Sequence, residues 1–200
     1  MTSTTSTPRR SRTVGVLFVA CLALVGFVLL SPSSRSATAP FKALFGHGPT
    51  DADGGELPDG ATAFDDRYAG IDRLDPSLLA ALREASSAAS RDRVEIHVNS
   101  GWRSRAYQER LLDEAVDEYG SREEAARWVA TPDTSPHVSG DAVDIGGVPA
   151  REWLAEHGAG YGLCRVYDNE PWHFELRPDA VTVGCRATYP DPTYDPRLQD

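Results

Sequence analysis

Basic residues are scarce in this chain. Twenty Lys+Arg stand against 30 Asp+Glu, a formal charge of −10 over 200 residues, and Lys42 is the only lysine. From Phe41 onward 16 basic residues face 30 acidic ones, a balance of −14. A protein that binds nucleic acid by neutralising phosphates carries the opposite sign, so that class is set aside. Cysteine is nearly absent too. Cys21, Cys164 and Cys185 form no Cys-x-x-Cys or Cys-His cluster, which argues against a thiolate metal site. No internal repeat is visible, and no acid precedes Asp51. What remains is ample for a core: 40% hydrophobic residues with four Trp, seven Tyr and six Phe exclude wholesale disorder. The roughly 160 residues beyond the N-terminal segment suit one domain.

One long uncharged run breaks the pattern. Val14–Leu30 spans 17 residues, with Arg9, Arg10 and Arg12 before it and Ser and Pro after it. At about 1.5 Å per residue this roughly matches the hydrocarbon core of a bilayer. The flanking arginines are expected to stay cytoplasmic and send the rest of the chain outward. An uncleaved single-pass anchor is the expectation. A cleaved signal is the alternative, with Ala37-Thr38-Ala39 as a site that Pro40 disfavours. Cys21, after Phe18-Val19-Ala20, lacks the usual Leu of a lipid-attachment signal and is taken as a small apolar residue of the run. An exported domain sits in an oxidising compartment, so Cys164 and Cys185 are expected to form a disulfide. Closing a loop of about 20 residues stabilises a fold by roughly 3 kcal/mol.

Residues 31–63, rich in Ser, Pro, Gly, Asp and Ala, are expected to form a flexible stalk, with the folded domain at 64–186 and an irregular tail at 187–200. Asp75 before Pro76 predicts a helix start, with Leu78, Leu79 and Leu82 on its apolar face. Val94, Ile96 and Val98 alternate with Glu95 and His97, as in a half-buried strand. A second helix is predicted from Ser104 to Tyr119, closed by Gly120, and a capping box at Ser121 and Glu124 opens a third reaching about Ala130. Strands are predicted at 142–145, 163–167 and 172–176, and a short helix at 150–157. Helices come first and strands dominate late. The expected class is α+β, a small antiparallel sheet carrying the site, with helices mainly from the N-terminal half.

Chemistry concentrates in two segments, Ser135-Pro136-His137-Val138-Ser139-Gly140-Asp141-Ala142-Val143-Asp144 and Asn169-Glu170-Pro171-Trp172-His173-Phe174-Glu175. Two His and one carboxylate with an open fourth position is the ligand set of a catalytic zinc site. His137, Asp144 and His173 supply it here, Gly140 permits the turn between the first two, and Glu170 is placed to face the attacking water as general base. Zn2+ is the expected cofactor, one per domain. Asp141 and Glu175 neighbour the ligands, and either is placed to orient a histidine, although Asp141 also suits a solvated loop. His97 suits a packed or surface position, and His157 the last turn of a helix, where a cation complements the dipole.

These segments resemble the zinc D,D-carboxypeptidases and D,D-dipeptidases of the vancomycin-resistance type, in the lysostaphin and hedgehog fold group. The shared pattern is Ser-x-His-x-x-Gly-x-Ala-x-Asp followed by Glu-x-x-His in a Glu-Pro-Trp-His context. Ser100-Gly101-Trp102-Arg103-Ser104, with Gln108 downstream, resembles that family's Ser-Gly-Tyr-Arg-Ser segment, with Trp replacing Tyr. The resemblance covers roughly residues 64–186 and implies the following roles. His137, Asp144 and His173 hold zinc, and Glu170 moves the proton from water to the leaving amine. Arg103 stabilises the developing oxyanion or binds near the scissile carbonyl, and Ser135 and Gln108 touch the peptide.

Two function classes follow. The first is a membrane-tethered, extracytoplasmic zinc peptidase that trims the terminal D-alanine from the stem peptide of peptidoglycan. Its variants are an L,D-carboxypeptidase or a D,D-dipeptidase on the same wall peptides. The second is a non-catalytic, hedgehog-like zinc binding module. The presence of both Glu170 and Arg103 favours the enzyme.

Overall fold

Asp75 opens the first long helix as predicted: its carboxylate accepts from the amides of Ser77 at 2.8 Å and Leu78 at 3.1 Å, ahead of Pro76, which has no N–H to satisfy. The structure is a computed structural model that describes residues 52–199. The Val14–Leu30 run, Cys21 and the stalk up to residue 51 lie outside the described residues. Among the described residues no helix is long and apolar enough to cross a membrane.

The elements run α1 (Ala69–Asp72), α2 (Pro76–Arg91), β1 (His97–Ser100), α3 (Arg105–Tyr119), α4 (Arg122–Ala125), α5 (Pro136–Ser139), β2 (Ala142–Gly146), α6 (Val148–His157), β3 (Leu163–Arg165), β4 (His173–Leu176) and α7 (Ala180–Val183). Single 3-10 turns follow at Pro192–Tyr194 and Pro196–Leu198. The α+β class stands. Helix α3 is capped by Ser104 and closed by Gly120 in the left-handed conformation at φ 82°, as predicted. The third helix is shorter than predicted: Ser121 caps it, but α4 ends at Ala125. The first strand begins only at His97, after the irregular stretch that holds Val94 and Glu95.

All strand pairs are antiparallel, in the order β1-β2-β4-β3. Register decides what each face does. Asp144 lies opposite His173, Val143 opposite Phe174, and Ala142 opposite Glu175. Side chains alternate across a strand, so Val143, Ile145 and Phe174 point to one face while Asp144, His173 and Glu175 point to the other. On the first face they join Leu78, Leu82, Ala85 and Ala89 of α2 and Leu154 of α6 in the main core. A fully buried Leu such as Leu82 contributes roughly 1.5–3 kcal/mol. A second cluster packs Tyr107, Leu111, Leu112 and Ala115 of α3 against Ala125 of α4 and Val129. Cys164 on β3 is joined to Cys185, with Cα atoms 5.6 Å apart, so the expected disulfide is present.

Two boundaries need correction. Residues 54–63, assigned from composition to the stalk, belong to the fold. Glu56 bridges to Ser100, the carbonyl of Ala61 accepts from Val98 N at 2.8 Å, and Ala61 and Ala63 are buried. Gly and Ala are used there for close approach, which composition does not distinguish from flexibility. The segment after residue 186 is irregular but docked. Tyr189 exchanges backbone hydrogen bonds with Val166 (2.9 Å) and Asp168 (2.8 Å), and Asp191 pairs with Arg127 at 3.0 Å.

Candidate metal centre

Three elements converge on the polar face of the sheet. His137 sits in α5, whose first turn is started by Pro136 and whose end is turned by Gly140 at φ 85°. A Cβ on Gly140 would lie 2.6 Å from the carbonyl oxygen of Arg73, so only glycine fits. Asp144 is central in β2, and His173 opens β4 opposite it. One ligand atom from each of His137, Asp144 and His173 lies within 4.8 Å of the others, and all three residues are buried.

Hydrogen bonds choose the nitrogens. Nδ1 of His137 is 2.8 Å from the carbonyl of Gly101, so Nδ1 carries the proton and Nε2 faces the centre. Nε2 of His173 is 3.3 Å from Oε1 of Glu175, so there Nε2 carries the proton and Nδ1 faces the centre. Nε2 of His137 and Nδ1 of His173 stand 3.3 Å apart, and Asp144 oxygens lie 3.5 and 3.4 Å from them. With these two nitrogens deprotonated, imidazoles this close to each other and to a carboxylate would present lone pairs to a common point, which suits a cation. Asp144 Oδ1 and Glu170 Oε1 are buried without a hydrogen-bond partner, as groups awaiting an ion and its water would be. The residues therefore fit a divalent metal of zinc's preferences.

Without metal, the site gathers positive charge by holding protons. Burial works against a charge on Asp144, but His137, His173 and Arg103 hold its carboxyl well below the usual range. Burial lowers His137, with Arg103 adding to the effect. Burial also opposes charge on His173, yet the carboxylates of Asp144, Glu175 and Glu170 outweigh it and raise the imidazole to about 10 without metal. Glu170, 3.7 Å from His173 Nδ1, is pushed up to about 8, chiefly by burial.

Arg103 is no surface charge. It is buried, and its guanidinium reaches Asp144 Oδ2 at 2.6 Å, Ser100 Oγ at 2.7 Å and Gln108 Oε1 at 3.2 Å. Three of its five N–H donors are used there, leaving one on each terminal nitrogen. Gln108 is buried and lines the same cleft; its amide donates to Ala130 O at 2.9 Å while its Oε1 accepts from Arg103, so it also braces Arg103. Ser135 is buried, does not cap α5, and lines the cleft with Trp128, Val129 and Trp172. Of the two neighbouring acids, Glu175 orients His173, whereas Asp141 is exposed and accepts from Ser139 Oγ at 2.6 Å. His97 is half-exposed beside Glu95, and the His157 ring packs at a tilt against Trp153.

A family model described as VanY, D-alanyl-D-alanine carboxypeptidase, matches residues 72–179, a span that holds all three ligand residues and Glu170. The chain belongs to the VanY D-alanyl-D-alanine carboxypeptidase family. A relative, the D-alanyl-D-alanine carboxypeptidase of Enterococcus faecalis (strain ATCC 700802 / V583), is 34% identical over 128 residues, covering 52% of this chain and 48% of the relative. The chain thus spans about half the length of the curated relative it matches. Among solved structures, the vancomycin-resistance D,D-pentapeptidase VanY of a VanB-type cassette, in complex with Zn(II), is 30% identical with a TM-score of 0.53, over 57% of this chain and 80% of that one. VanYB in complex with D-alanine-D-alanine is 29% identical with a TM-score of 0.51, over 56% and 74% respectively.

Tyr167, Arg177 and Arg197 were not found by sequence reasoning. Tyr167 packs its ring 5.1 Å from that of His173. Arg177 and Arg197 both reach Oε2 of Glu175 at 2.7 Å. No local motif marks Arg197, which lies 22 residues beyond its partner.

Proposed function

We propose that this chain is a zinc-dependent D-alanyl-D-alanine carboxypeptidase that removes the terminal D-alanine from peptidoglycan stem peptides. The observation that carries the reading is the buried convergence of His137 Nε2, Asp144 and His173 Nδ1, with Glu170 held alongside. The zinc-bound and D-alanine-D-alanine-bound relatives support it.

When bound, zinc supplies Lewis acidity that polarises the scissile carbonyl and acidifies water. The chain's residues do the rest. Glu170 accepts a proton from the water that attacks the carbonyl carbon, and returns it to the amine as the C–N bond breaks. The free N–H groups of Arg103 stabilise charge growing on the carbonyl oxygen, worth about 2.7–4 kcal/mol for one such donor. Its clamp on Asp144 fixes both groups. Trp128, Val129 and Trp172 wall the cleft against water.

The test is mass spectrometry of a stem pentapeptide ending in D-Ala-D-Ala, incubated with the full chain, with and without a chelator. Loss of one alanine that the chelator abolishes and zinc restores supports the reading. Loss of a dipeptide moves the chain to the dipeptidase branch. Cleavage of the tetrapeptide alone makes it an L,D-carboxypeptidase, and survival of both peptides favours the binding module.

The enzyme is also proposed to act outside the cytoplasmic membrane, anchored through residues 14–30. The uncharged run and the arginines preceding it support this. Full-length protein in the membrane fraction, digested by protease added to intact spheroplasts, is the expected result; a shorter soluble form would indicate a cleaved signal.

A further inference from the structure

We propose that Arg197, in the C-terminal segment, is a positioning residue for the metal centre: it fixes Glu175, which holds His173 in the tautomer that presents Nδ1 to the metal. The inference rests on the metallopeptidase reading above.

The contacts form a closed circuit. Nε2 of His173 faces Oε1 of Glu175 at 3.3 Å. Glu175 is 1% exposed, so its carboxylate has no solvent to hold it in place. Arg197 grips both oxygens, Nη1 on Oε2 at 2.7 Å and Nη2 on Oε1 at 3.2 Å. A planar guanidinium in this two-point contact sets the plane of the carboxylate as well as neutralising it. Arg197 is itself anchored by Asp195, through Nε to Oδ1 at 3.0 Å and through Nη2 to Oδ2. Asp195 is fully buried and accepts from the hydroxyl of Tyr167 at 3.0 Å, and the Tyr167 ring returns to pack on His173.

Arg177 is the control that the structure provides. Its Nη2 lies 2.7 Å from Oε2, the oxygen that does not face the imidazole. It contributes charge, while Arg197 contributes charge and orientation. Without Arg197 the carboxylate can rotate Oε1 away from Nε2, and the His173 ring loses what fixes its proton. Partners that orient a metal-binding histidine in this way are typically worth 10–100-fold in metal affinity.

The experiment measures zinc affinity of the full-length protein by competition with a chromophoric chelator, alongside the melting temperature of the metal-free form. Arg197→Ala is expected to weaken zinc binding about 10–100-fold, with Arg197→Lys intermediate and Arg177→Ala the mildest of the three. Zinc affinity of Arg197→Ala within about threefold of wild type overturns the proposal, being well below the effect such partners have. Equal losses in the Ala and Lys variants, matched by equal falls in metal-free melting temperature, also overturn it, because the segment would then act only through packing. A wild-type protein that takes up no zinc overturns the metal reading itself, whereas a zinc-binding wild type with an equal Arg197→Ala variant overturns this inference alone.

Discussion

Glu170→Gln separates the proposed base from the metal ligands in one substitution. Gln keeps the size of Glu170 and cannot accept a proton, and the side chain is not among the three ligands. Hydrolysis should fall by about 10²–10⁴-fold, the usual worth of a general base, while zinc affinity stays near wild type. The metal-free protein offers a second readout. Burial, with Asp144 and Asp191 adding to it, raises Glu170 from 4.5 to about 8. Between those pH values the native state holds a proton that the unfolded chain has released. Stability therefore falls as pH rises from 4.5 to 8 and levels off above that. At about 1.4 kcal/mol per pH unit this one carboxylate destabilises the native state by at most roughly 5 kcal/mol at pH 9. Glutamine carries no such penalty. Urea unfolding in chelator should show the two proteins nearly equal near pH 4.5 and the Gln variant several kcal/mol more stable at pH 9. Equal stability at both pH values would refute the buried-carboxylate argument, and full hydrolysis by the variant would refute the base assignment.

Arg103→Ala leaves Asp144 buried without its 2.6 Å partner and should cost about 3–5 kcal/mol in urea unfolding of the metal-free protein, with added zinc recovering part of the loss. Gly140→Ala forces a Cβ to within 2.6 Å of the Arg73 carbonyl at φ 85°; the left-handed strain alone is about 1–2 kcal/mol, and displacement of His137 should weaken zinc binding in a chelator competition. Replacing Cys164 and Cys185 with serine should lower stability by about 3 kcal/mol and leave kcat nearly unchanged, because the bridge lies outside the ligand set, as steady-state assays at a permissive temperature would show.

The ligands were readable because each lies in a short segment whose local chemistry is self-contained. Pro136 starts the turn that carries His137, Gly140 ends it, and the alternation of Val143, Asp144 and Ile145 puts the acid on the face opposite the core. Helix caps at Asp75, Ser104 and Ser121 were legible for the same reason, since a cap is satisfied within three residues. Helix α4 ran short of its prediction because the capping box marks where a helix starts and says nothing of where it ends. The first strand was placed a few residues early because alternation at Val94 and Ile96 records burial, whereas a strand also needs a partner, and β2 offers one only from His97 onward.

Sequence by itself pointed to the α+β class through the order of its elements, to the ligand trio and the proposed base through residue types in two short segments, and to the disulfide through the two cysteines left over in a domain read as exported. Only tertiary structure decided which nitrogen of each histidine faces the metal, since the choice rests on Gly101 and Glu175 lying beyond the other nitrogen. It alone bonded Gln108 to Arg103, folded residues 54–63 onto β1, and carried Arg197 across 22 residues to Glu175. A contact between distant segments leaves no periodicity or spacing in either of them, so it exists only once the chain has folded.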